Sequence, residues 1–208
     1  MQDPAVKRAI SFFDGQNLFH HARAAFGHNH PNYDPVKLHR AVCEMQGWEP
    51  VAVRFYTGVH TQERNAFWHS YWVRRKLAME RQGITVITRP LHYREIRVFN
   101  QYGQQETRII PQEKGIDVRL ALDVIRLARE NAFDVGIIFS QDQDLAEVAH
   151  EVRAIAREQQ RWIKLACAFP HGANATASRG IDRTDWIRID EATYNACLDP
   201  RDYRPRQA

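Results

Sequence analysis

Short apolar segments alternate with longer segments of helical pattern along nearly the whole of this 208-residue chain. The first apolar segment, residues 8–13, ends at Asp14, and the clearest one, residues 135–139, ends at Ser140. Continuous apolar runs of this length are typical of strands that are buried on both faces of a parallel sheet. Strands that alternate with helices form βαβ units, whose helices cover both faces of the sheet. The alternation therefore predicts one three-layer α/β domain with a mainly parallel central sheet flanked by helices.

The same patterns predict where the individual elements lie. Strands are predicted at residues 8–13, 51–56, 84–88, 135–139, 162–167 and 186–189. Helices are predicted at residues 17–26, 35–46, 61–82, 114–131 and 142–159, with a short one around 174–180. Residues 93–98 and 106–110 flank a run of turn residues, which predicts a β-hairpin insertion. We expect an N-terminal extension over residues 1–7, the domain over 8–190 and a polar C-terminal tail over 191–208.

Composition excludes several other classes of protein. An apolar content of 44% is enough to build a core at this length, which excludes a disordered or a collagen-like chain. No apolar run approaches the ~18 residues that cross a bilayer, so we expect no membrane partner. The three cysteines lack any paired spacing, which excludes a disulfide scaffold and a cysteine-rich zinc module. This cysteine usage fits a reducing compartment, and we expect a cytoplasmic protein.

Charge is unevenly distributed along the chain. Residues 54–119 contain twelve Lys and Arg against six Asp and Glu, whereas residues 120–160 contain four Arg against eight Asp and Glu. A basic half beside an acidic half is the charge pattern expected for a protein that binds an anionic polymer and a divalent cation. Two ordinary solvated faces would give the same pattern, and charge alone leaves both interpretations open.

Acidic residues follow two of the predicted strands, at the edge of the sheet where α/β proteins place their ligands. Asp14 follows the first strand, and Asp142 and Asp144 follow the central strand at 135–139. Asp117 lies at the start of a predicted helix. Carboxylates that lie close together repel one another unless a cation neutralises them, and a site made only of oxygen ligands favours Mg²⁺ or Mn²⁺ over Zn²⁺. The pattern predicts a metal site for phosphoryl transfer or hydrolysis.

Each acid also has a purely structural interpretation. Asp142 could cap a helix, while Asp144 and Asp117 could complement helix dipoles. Asp14-Gly15 could be a plain turn. A zinc site of histidines is disfavoured, because the adjacent His20 and His21 diverge on a helix. An aspartyl-phosphate phosphatase is also disfavoured, because that chemistry generally wants a second Asp where this chain has Gln16.

Three motifs, in this order, resemble those of the NYN domain, specifically the LabA-like group within the PIN-like nucleases. Residues 14–17 (DGQN) resemble the D-G-x-N motif, residues 114–123 (KGIDVRLALD) resemble the K-G-v-D-v-x-l-a-l-D segment, and residues 140–145 (SQDQDL) resemble S-G-D-x-D-f/l. The resemblance covers nearly the whole chain, from residue 8 to 189. It implies a PIN-like fold and a Mg²⁺- or Mn²⁺-dependent endoribonuclease that uses activated water and leaves a 5′-phosphate.

The resemblance also implies roles for individual residues. The catalytic, metal-binding acids would be Asp14, Asp117, Asp142 and Asp144. Asn17 and Ser140 would be supporting polar contacts to metal, water or phosphate. Asp123 matches a family position, but it lies about 240° around the helix from Asp117, so we expect it to be structural. Gln141 stands where the family usually has Gly, and we expect it to narrow the pocket or shift the following Asp.

Basic residues supply candidate contacts to RNA. The candidates are Arg74, Arg75, Lys76, Arg94, Arg97 and Lys114. Those on the helix at 61–82 stand beside aromatic residues that could stack on the bases of a single strand. The aromatic residues also have the spacing of a core-facing helix, with the cations on a solvated face. Because Gln141 departs from the family pattern, an RNA-binding or regulatory module with weak or no catalysis stays open as an alternative to the nuclease.

Overall fold

The computed structural model describes residues 2–175 and 178–205, and its strands form one large sheet and one hairpin. The strands are β1 (Arg8–Asp14), β2 (Glu49–Val59), β3 (Thr85–Pro90), β4 (His92–Phe99), β5 (Gln105–Gln112), β6 (Val135–Phe139), β7 (Lys164–Pro170) and β8 (Asp185–Ile189). Six of them form a parallel sheet in the order β3-β2-β1-β6-β7-β8. The other two, β4 and β5, pair antiparallel. The predicted α/β fold class is confirmed.

Helices cover both faces of the large sheet. They are α1 (Gly15–Phe26), α2 (Pro35–Gln46), α3 (Ala66–Arg81), α4 (Ile116–Arg129), α5 (Ala146–Glu158) and α6 (Glu191–Ala196), with a 3₁₀ turn at Gln143–Leu145. Sequence signals mark their ends. Asp34 caps α2 by accepting hydrogen bonds from the backbone N–H groups of Val36 and Lys37, and Gly47 ends it in the left-handed conformation. No described helix has both the length and the apolar composition needed to cross a membrane.

The core has two halves, one on each face of the sheet, because alternate side chains of a strand point to opposite faces. On β1, Phe13 packs in the half that contains residues of α1, α2, α3 and α6. Phe12 packs in the half that contains residues of α4 and α5. The rings of Phe13 and Phe139 stack with centroids 3.9 Å apart, and this contact joins the two central strands just below their carboxyl ends.

Several element boundaries differ from the predictions. Helix α3 begins at Ala66 rather than at residue 61, because the side chain of Asn65 accepts the N–H of Trp68 and caps the helix there. Strand β7 begins later than predicted and extends to Pro170. The short helix predicted around residues 174–180 lies partly outside the described residues, and the described part contains a turn but no helix.

The segment predicted to be a polar tail packs against the domain as far as it is described. Its helix α6 buries Tyr194, and Tyr203 is also buried. The carbonyl of Cys197 accepts the N–H of Asp34 at 2.8 Å, and the N–H of Asp199 donates to the carbonyl of Asn32 at the same distance. These contacts hold residues 191–205 against the loop between α1 and α2.

Candidate active site

Asp14 is the last residue of the central strand β1, and its carboxylate is at the centre of the candidate site. Its Oδ1 accepts the backbone N–H of Asn17 at 3.0 Å, so it also serves as the N-cap of α1. Its Oδ2 accepts the hydroxyl of Ser140 at 3.3 Å. Because β1 and β6 are parallel neighbours in which Phe13 pairs with Phe139, the residues that follow them meet at one edge of the sheet.

The loop after β6 carries the next two carboxylates. The N–H of Asp142 donates to the hydroxyl oxygen of Ser140 at 3.2 Å, and Oδ1 of Asp142 accepts the N–H of Asp144 at 3.0 Å. Asp142 therefore caps the 3₁₀ turn, as its structural interpretation proposed. It is half-buried and Asp144 is exposed, so both keep carboxylate surface that a ligand can reach.

Electrostatics connect Asp14 with the acids of the other two motifs. Burial raises the pKa of Asp14 to about 6, although the N–H of Asn17 and the hydroxyl of Ser140 oppose this rise. The negative charges of Asp142 and Asp117 raise it further. Asp117 is exposed in the first turn of α4. Two of the other predicted acids therefore act on Asp14, and the backbone of Asp144 is hydrogen-bonded to one of them, Asp142.

Glu113 is a fifth acid at this site, and the sequence analysis missed it. Its half-buried carboxylate accepts the backbone N–H of Gly58, near the carboxyl end of β2. Burial raises the pKa of Glu113 to about 7, and the charges of Asp14 and Asp117 add to this effect while the N–H of Gly58 opposes it. The signal available in the sequence was its position directly before the Lys114-Gly115-Ile116-Asp117 motif, three residues after the predicted hairpin strand.

Gln141 has no backbone conformation that requires the glycine usually found here. It is absent from the described non-glycine residues with positive φ, so this position has no conformational need for Gly. Its side-chain amide donates to the carbonyl of Arg179 at 2.7 Å, which directs that amide to the segment before β8. Its backbone N–H donates to the side-chain oxygen of Asn17 at 2.9 Å.

Asn17 and Ser140 both hold the acid-bearing segments together. Asn17 joins α1 to the loop after β6 through Gln141, and Ser140 contacts both Asp14 and the backbone of Asp142. The carbonyl of Ser140 accepts a hydrogen bond from the buried thiol of Cys167 at 2.9 Å. The predicted supporting residues are thus brought together with the acids, and each has a positioning contact in the protein itself.

The donor chemistry of the site fits a hard divalent cation. All five acidic side chains offer oxygen, and a bound cation would relieve the repulsion by Asp142 and Asp117 that adds to the effect of burial on the pKa of Asp14. Within residues 2–175 and 178–205, however, no three His, Cys, Asp or Glu side chains are arranged to hold a metal ion. Mg²⁺ usually binds one or two carboxylates together with waters and phosphate oxygens, so the residues present fit such an ion without a closed protein cage.

Arg75 was predicted to bind substrate, and this prediction is wrong. Its side chain is only 2% exposed and donates to the hydroxyl of Tyr71 at 2.7 Å and to the carbonyl of Tyr33 at 2.8 Å. The guanidinium group also lies 5.0–5.9 Å from four aromatic ring centroids. The helical pattern could not reveal this burial, because a cation seldom occupies a core position.

The other predicted basic contacts lie on the surface. Arg74 is exposed, and Lys76 pairs with Glu80 at 3.4 Å. Arg94 and Arg97 are exposed on β4, where the unbroken pairing with β5 puts them on opposite faces of the hairpin. Lys114 lies closest in sequence to the acids and lines an open depression together with Arg89, Pro90 and His92.

Asp123 lies away from the acids, as the helix geometry predicts. It is buried and pairs with Arg54 at 3.1 Å and with Arg119 at 3.1 Å. Burial opposes its ionisation, but the hydroxyl of Tyr56 and the charges of Arg54 and Arg119 hold the pKa of Asp123 below its usual value. It is a structural ion-pair residue that fixes α4 against β2.

Comparisons with known proteins agree with this architecture. A family model described as "NYN domain" matches residues 8–166. A solved structure of a protein of unknown function from Vibrio parahaemolyticus is similar over 92% of this chain and 98% of that chain, with 20% identity and a TM-score of 0.52. At that identity the likeness shows the fold alone. MurG from Acinetobacter baumannii overlaps 88% of this chain and 45% of its own, with 12% identity and a TM-score of 0.33, which is too low to carry an argument. No curated protein matches the chain.

Proposed function

This chain belongs to the NYN domain family, and we propose on that basis that it is a metal-dependent ribonuclease that hydrolyses internal phosphodiester bonds of RNA. The observation that carries the proposal is the hydrogen bond from the hydroxyl of Ser140 to the carboxylate of Asp14. It brings the first acidic motif against the motif that contains Asp142, at the carboxyl ends of the strands. Asp117 and Asp142 act electrostatically on the same carboxylate. A site of this composition supports phosphoryl chemistry that needs no protein nucleophile.

We assign the binding of Mg²⁺ or Mn²⁺ to Asp14, Asp117, Asp142 and Asp144. When bound, such an ion would activate water and stabilise the charge that develops on the phosphate. Asp14 supplies a carboxylate whose rotation is restrained by Asn17 and Ser140. The loop after β6 supplies its carboxylates from a turn that Asp142 itself caps. This restraint keeps the ligands in place before the substrate arrives, which reduces the reorganisation needed during the reaction.

We propose that the exposed basic residues bind the phosphates of the RNA strand. Lys114 lies three residues before Asp117, and Arg89 packs with its guanidinium against Gly115. A positive group beside a carboxylate site attracts the polyanion and offsets its repulsion by the acids. Arg94 and Arg97 extend the positive surface along the hairpin, and Arg74 and Lys76 supply further charge on α3.

Cleavage of an end-labelled, partly structured RNA in Mn²⁺, Mg²⁺ or EDTA tests the proposal. Asp142→Asn should reduce cleavage by at least about a hundredfold, because it removes a charge. It should retain the fold, because Asn also caps a turn well. Asp185→Asn is the matched control, since Asp185 begins β8 at the opposite edge of the sheet. Equal cleavage by the wild type and the Asp142→Asn protein would remove the assignment of Asp142.

The second candidate function is an RNA-binding or regulatory module without turnover. The observation that favours it is Gln141, which stands where the family usually has Gly and whose amide donates to the carbonyl of Arg179 beside the acid-bearing loop. RNA binding in a gel shift, with no metal-dependent cutting by the same protein, would support this module and contradict the nuclease. Gln141→Gly separates the two further: a gain of cleavage would show that Gln141 silences the site, and unchanged cleavage would exclude that role.

A further inference from the structure

A depression beside the acids is lined mainly by aromatic and apolar side chains. It has a volume of about 290 Å³ and lies between the first turns of α1, the end of β2, the start of α3 and the base of the hairpin. Gln16, Gly58 and Leu91 line it together with the rings of Phe19, Trp68 and Trp72. We call this depression the aromatic pocket. Its volume is close to the lower end of the range for small-ligand sites, roughly 300 Å³.

The walls of the aromatic pocket offer planar rings from two helices. Phe19 and His20 come from α1, and Trp68 and Trp72 come from α3. Trp68 is half-buried, so part of its indole stays accessible to a ligand. Burial lowers the pKa of both His20 and His60, which favours neutral imidazole rings. Flat, neutral aromatic walls suit a flat aromatic ligand, because every nucleobase has a face that stacks on such rings.

One residue, Gly58, borders both the aromatic pocket and the acidic site. It lines the pocket, and its backbone N–H donates to the carboxylate of Glu113. A Cβ at this position would approach Leu91 within 2.5 Å and Glu113 within 2.8 Å, so any larger residue would require these two side chains to shift. Gln16 lines the pocket two residues after Asp14, and its amide donates to the carbonyl of Gly58 at 3.4 Å. Gly58 therefore lies between the aromatic pocket and the carboxylate of Glu113.

Positive charge continues from the edge of the aromatic pocket. Leu91 lines the pocket, and its neighbours Pro90 and His92 line the open depression that also contains Arg89 and Lys114. An RNA strand that crosses this basic depression could place one base in the aromatic pocket and a neighbouring phosphate beside the acids. The charge of this rim favours a nucleic acid over a neutral apolar ligand.

We infer that the aromatic pocket binds one unpaired nucleobase of the RNA strand, stacked on Trp68, at a fixed distance from the phosphate that is cut. This inference rests on the proposed function and specifies its substrate, because a base in the pocket must leave the stack of a duplex. The site would therefore cut single-stranded segments. Base–aromatic stacking is sequence-tolerant, so the pocket selects an accessible base rather than a particular sequence.

Abasic substitution in the RNA tests this inference without changing the protein. A set of single-stranded oligoribonucleotides, each with one abasic position, is titrated by fluorescence anisotropy against the Asp142→Asn protein, and cleavage of the same set is mapped with the wild type. One abasic position, at a constant offset from the cut, should weaken binding by roughly 5- to 150-fold. In a second titration, Trp68→Ala should remove most of that difference and Trp68→Phe should retain it.

Leu77→Ala is the matched protein control, because Leu77 is an exposed apolar residue on the same helix that does not line the pocket. It should leave the abasic effect intact. If cleavage depends on metal but no abasic position affects binding, the inference that the pocket binds a base is wrong and the proposed nuclease activity is supported. A sensitive position in binding, with no cleavage in any metal, would support the pocket and overturn the nuclease. An abasic effect that persists in Trp68→Ala would overturn the role of Trp68.

Discussion

The side-chain oxygen of Asn17 accepts the backbone N–H of Gln141 at 2.9 Å. This one hydrogen bond joins the first turn of α1, which follows Asp14, to the loop that carries Asp142 and Asp144. The N–H of Asn17 itself donates to Asp14, so Asn17 contacts both acid-bearing segments. Its role in the structure is to set their relative position.

Asn17→Ala should therefore reduce cleavage by about 10- to 100-fold, the usual cost of losing a residue that orients metal ligands. The N–H of Gln141 would lose its acceptor, which should lower the free energy of unfolding by about 1–3 kcal/mol. Asn195→Ala is the control, because Asn195 is an exposed asparagine on α6, and its loss should cost less than about 0.5 kcal/mol. Cleavage kinetics and urea denaturation measure the two effects. Unchanged kinetics in Asn17→Ala would contradict a positioning role.

The raised pKa of Asp14 predicts how stability depends on pH in EDTA. Because burial favours the protonated form in the folded state, the folded protein binds more protons than the unfolded chain between pH 4 and 6. The contribution of Asp14 to the free energy of unfolding should therefore fall as pH rises through this window, by up to about 3 kcal/mol, and level off above it.

Asp14→Asn should remove that contribution, so it should stabilise the protein at pH 7.5 more than at pH 4.5. Urea denaturation of both proteins at the two pH values measures the difference. Saturating Mn²⁺ should raise the stability of the wild type at pH 7.5, since ligands that bind only the folded state stabilise it. If the difference in free energy of unfolding between the two proteins does not change with pH, the raised pKa of the buried Asp14 carboxyl is contradicted.

Glu113→Gln should leave the fold intact and weaken the binding of divalent metal. Gln retains an oxygen that accepts the N–H of Gly58, but it removes one negative charge from the group of acids. We expect the affinity for Mn²⁺ to fall by about 10- to 100-fold, as measured by isothermal titration calorimetry. Glu95→Gln, at an exposed position on the hairpin, is the control. Wild-type affinity in Glu113→Gln would place Glu113 outside the metal site.

Arg75→Lys should destabilise the protein and leave RNA affinity nearly unchanged in the folded fraction. Lys cannot reproduce the planar guanidinium that donates to Tyr71 and Tyr33 among four aromatic rings. The free energy of unfolding should fall by about 2–4 kcal/mol. The control is Arg74→Lys, an exposed neighbour whose change should cost less than about 0.5 kcal/mol. Loss of RNA binding by well-folded Arg75→Lys would contradict the structural role.

Local sequence patterns predicted those parts of the fold that local physics determines. The apolar runs form the parallel sheet. Asp14 and Asp142, which follow two of these runs, lie near each other because β1 and β6 are neighbouring strands. Glu113 was missed because its importance depends on Gly58, which is 55 residues away in the chain. Arg75 was misassigned because its burial depends on the packing of α3 against Tyr33, which is distant in the sequence. Both failures depend on long-range packing, which helical and strand periodicities do not encode.

The hydrogen bond between Ser140 and Asp14 connects residues that are 126 positions apart in the chain. Parallel strands cannot pair through a tight turn, so such a contact requires long crossovers and forms late in folding. During synthesis, the segment with Asp14 emerges long before the segment with Asp142 and Asp144. A nascent chain that ends before β6 contains only part of the acid group and cannot assemble it. The candidate catalytic site can therefore assemble only after the segment with Asp142 and Asp144 has been translated, which delays the proposed activity until that point.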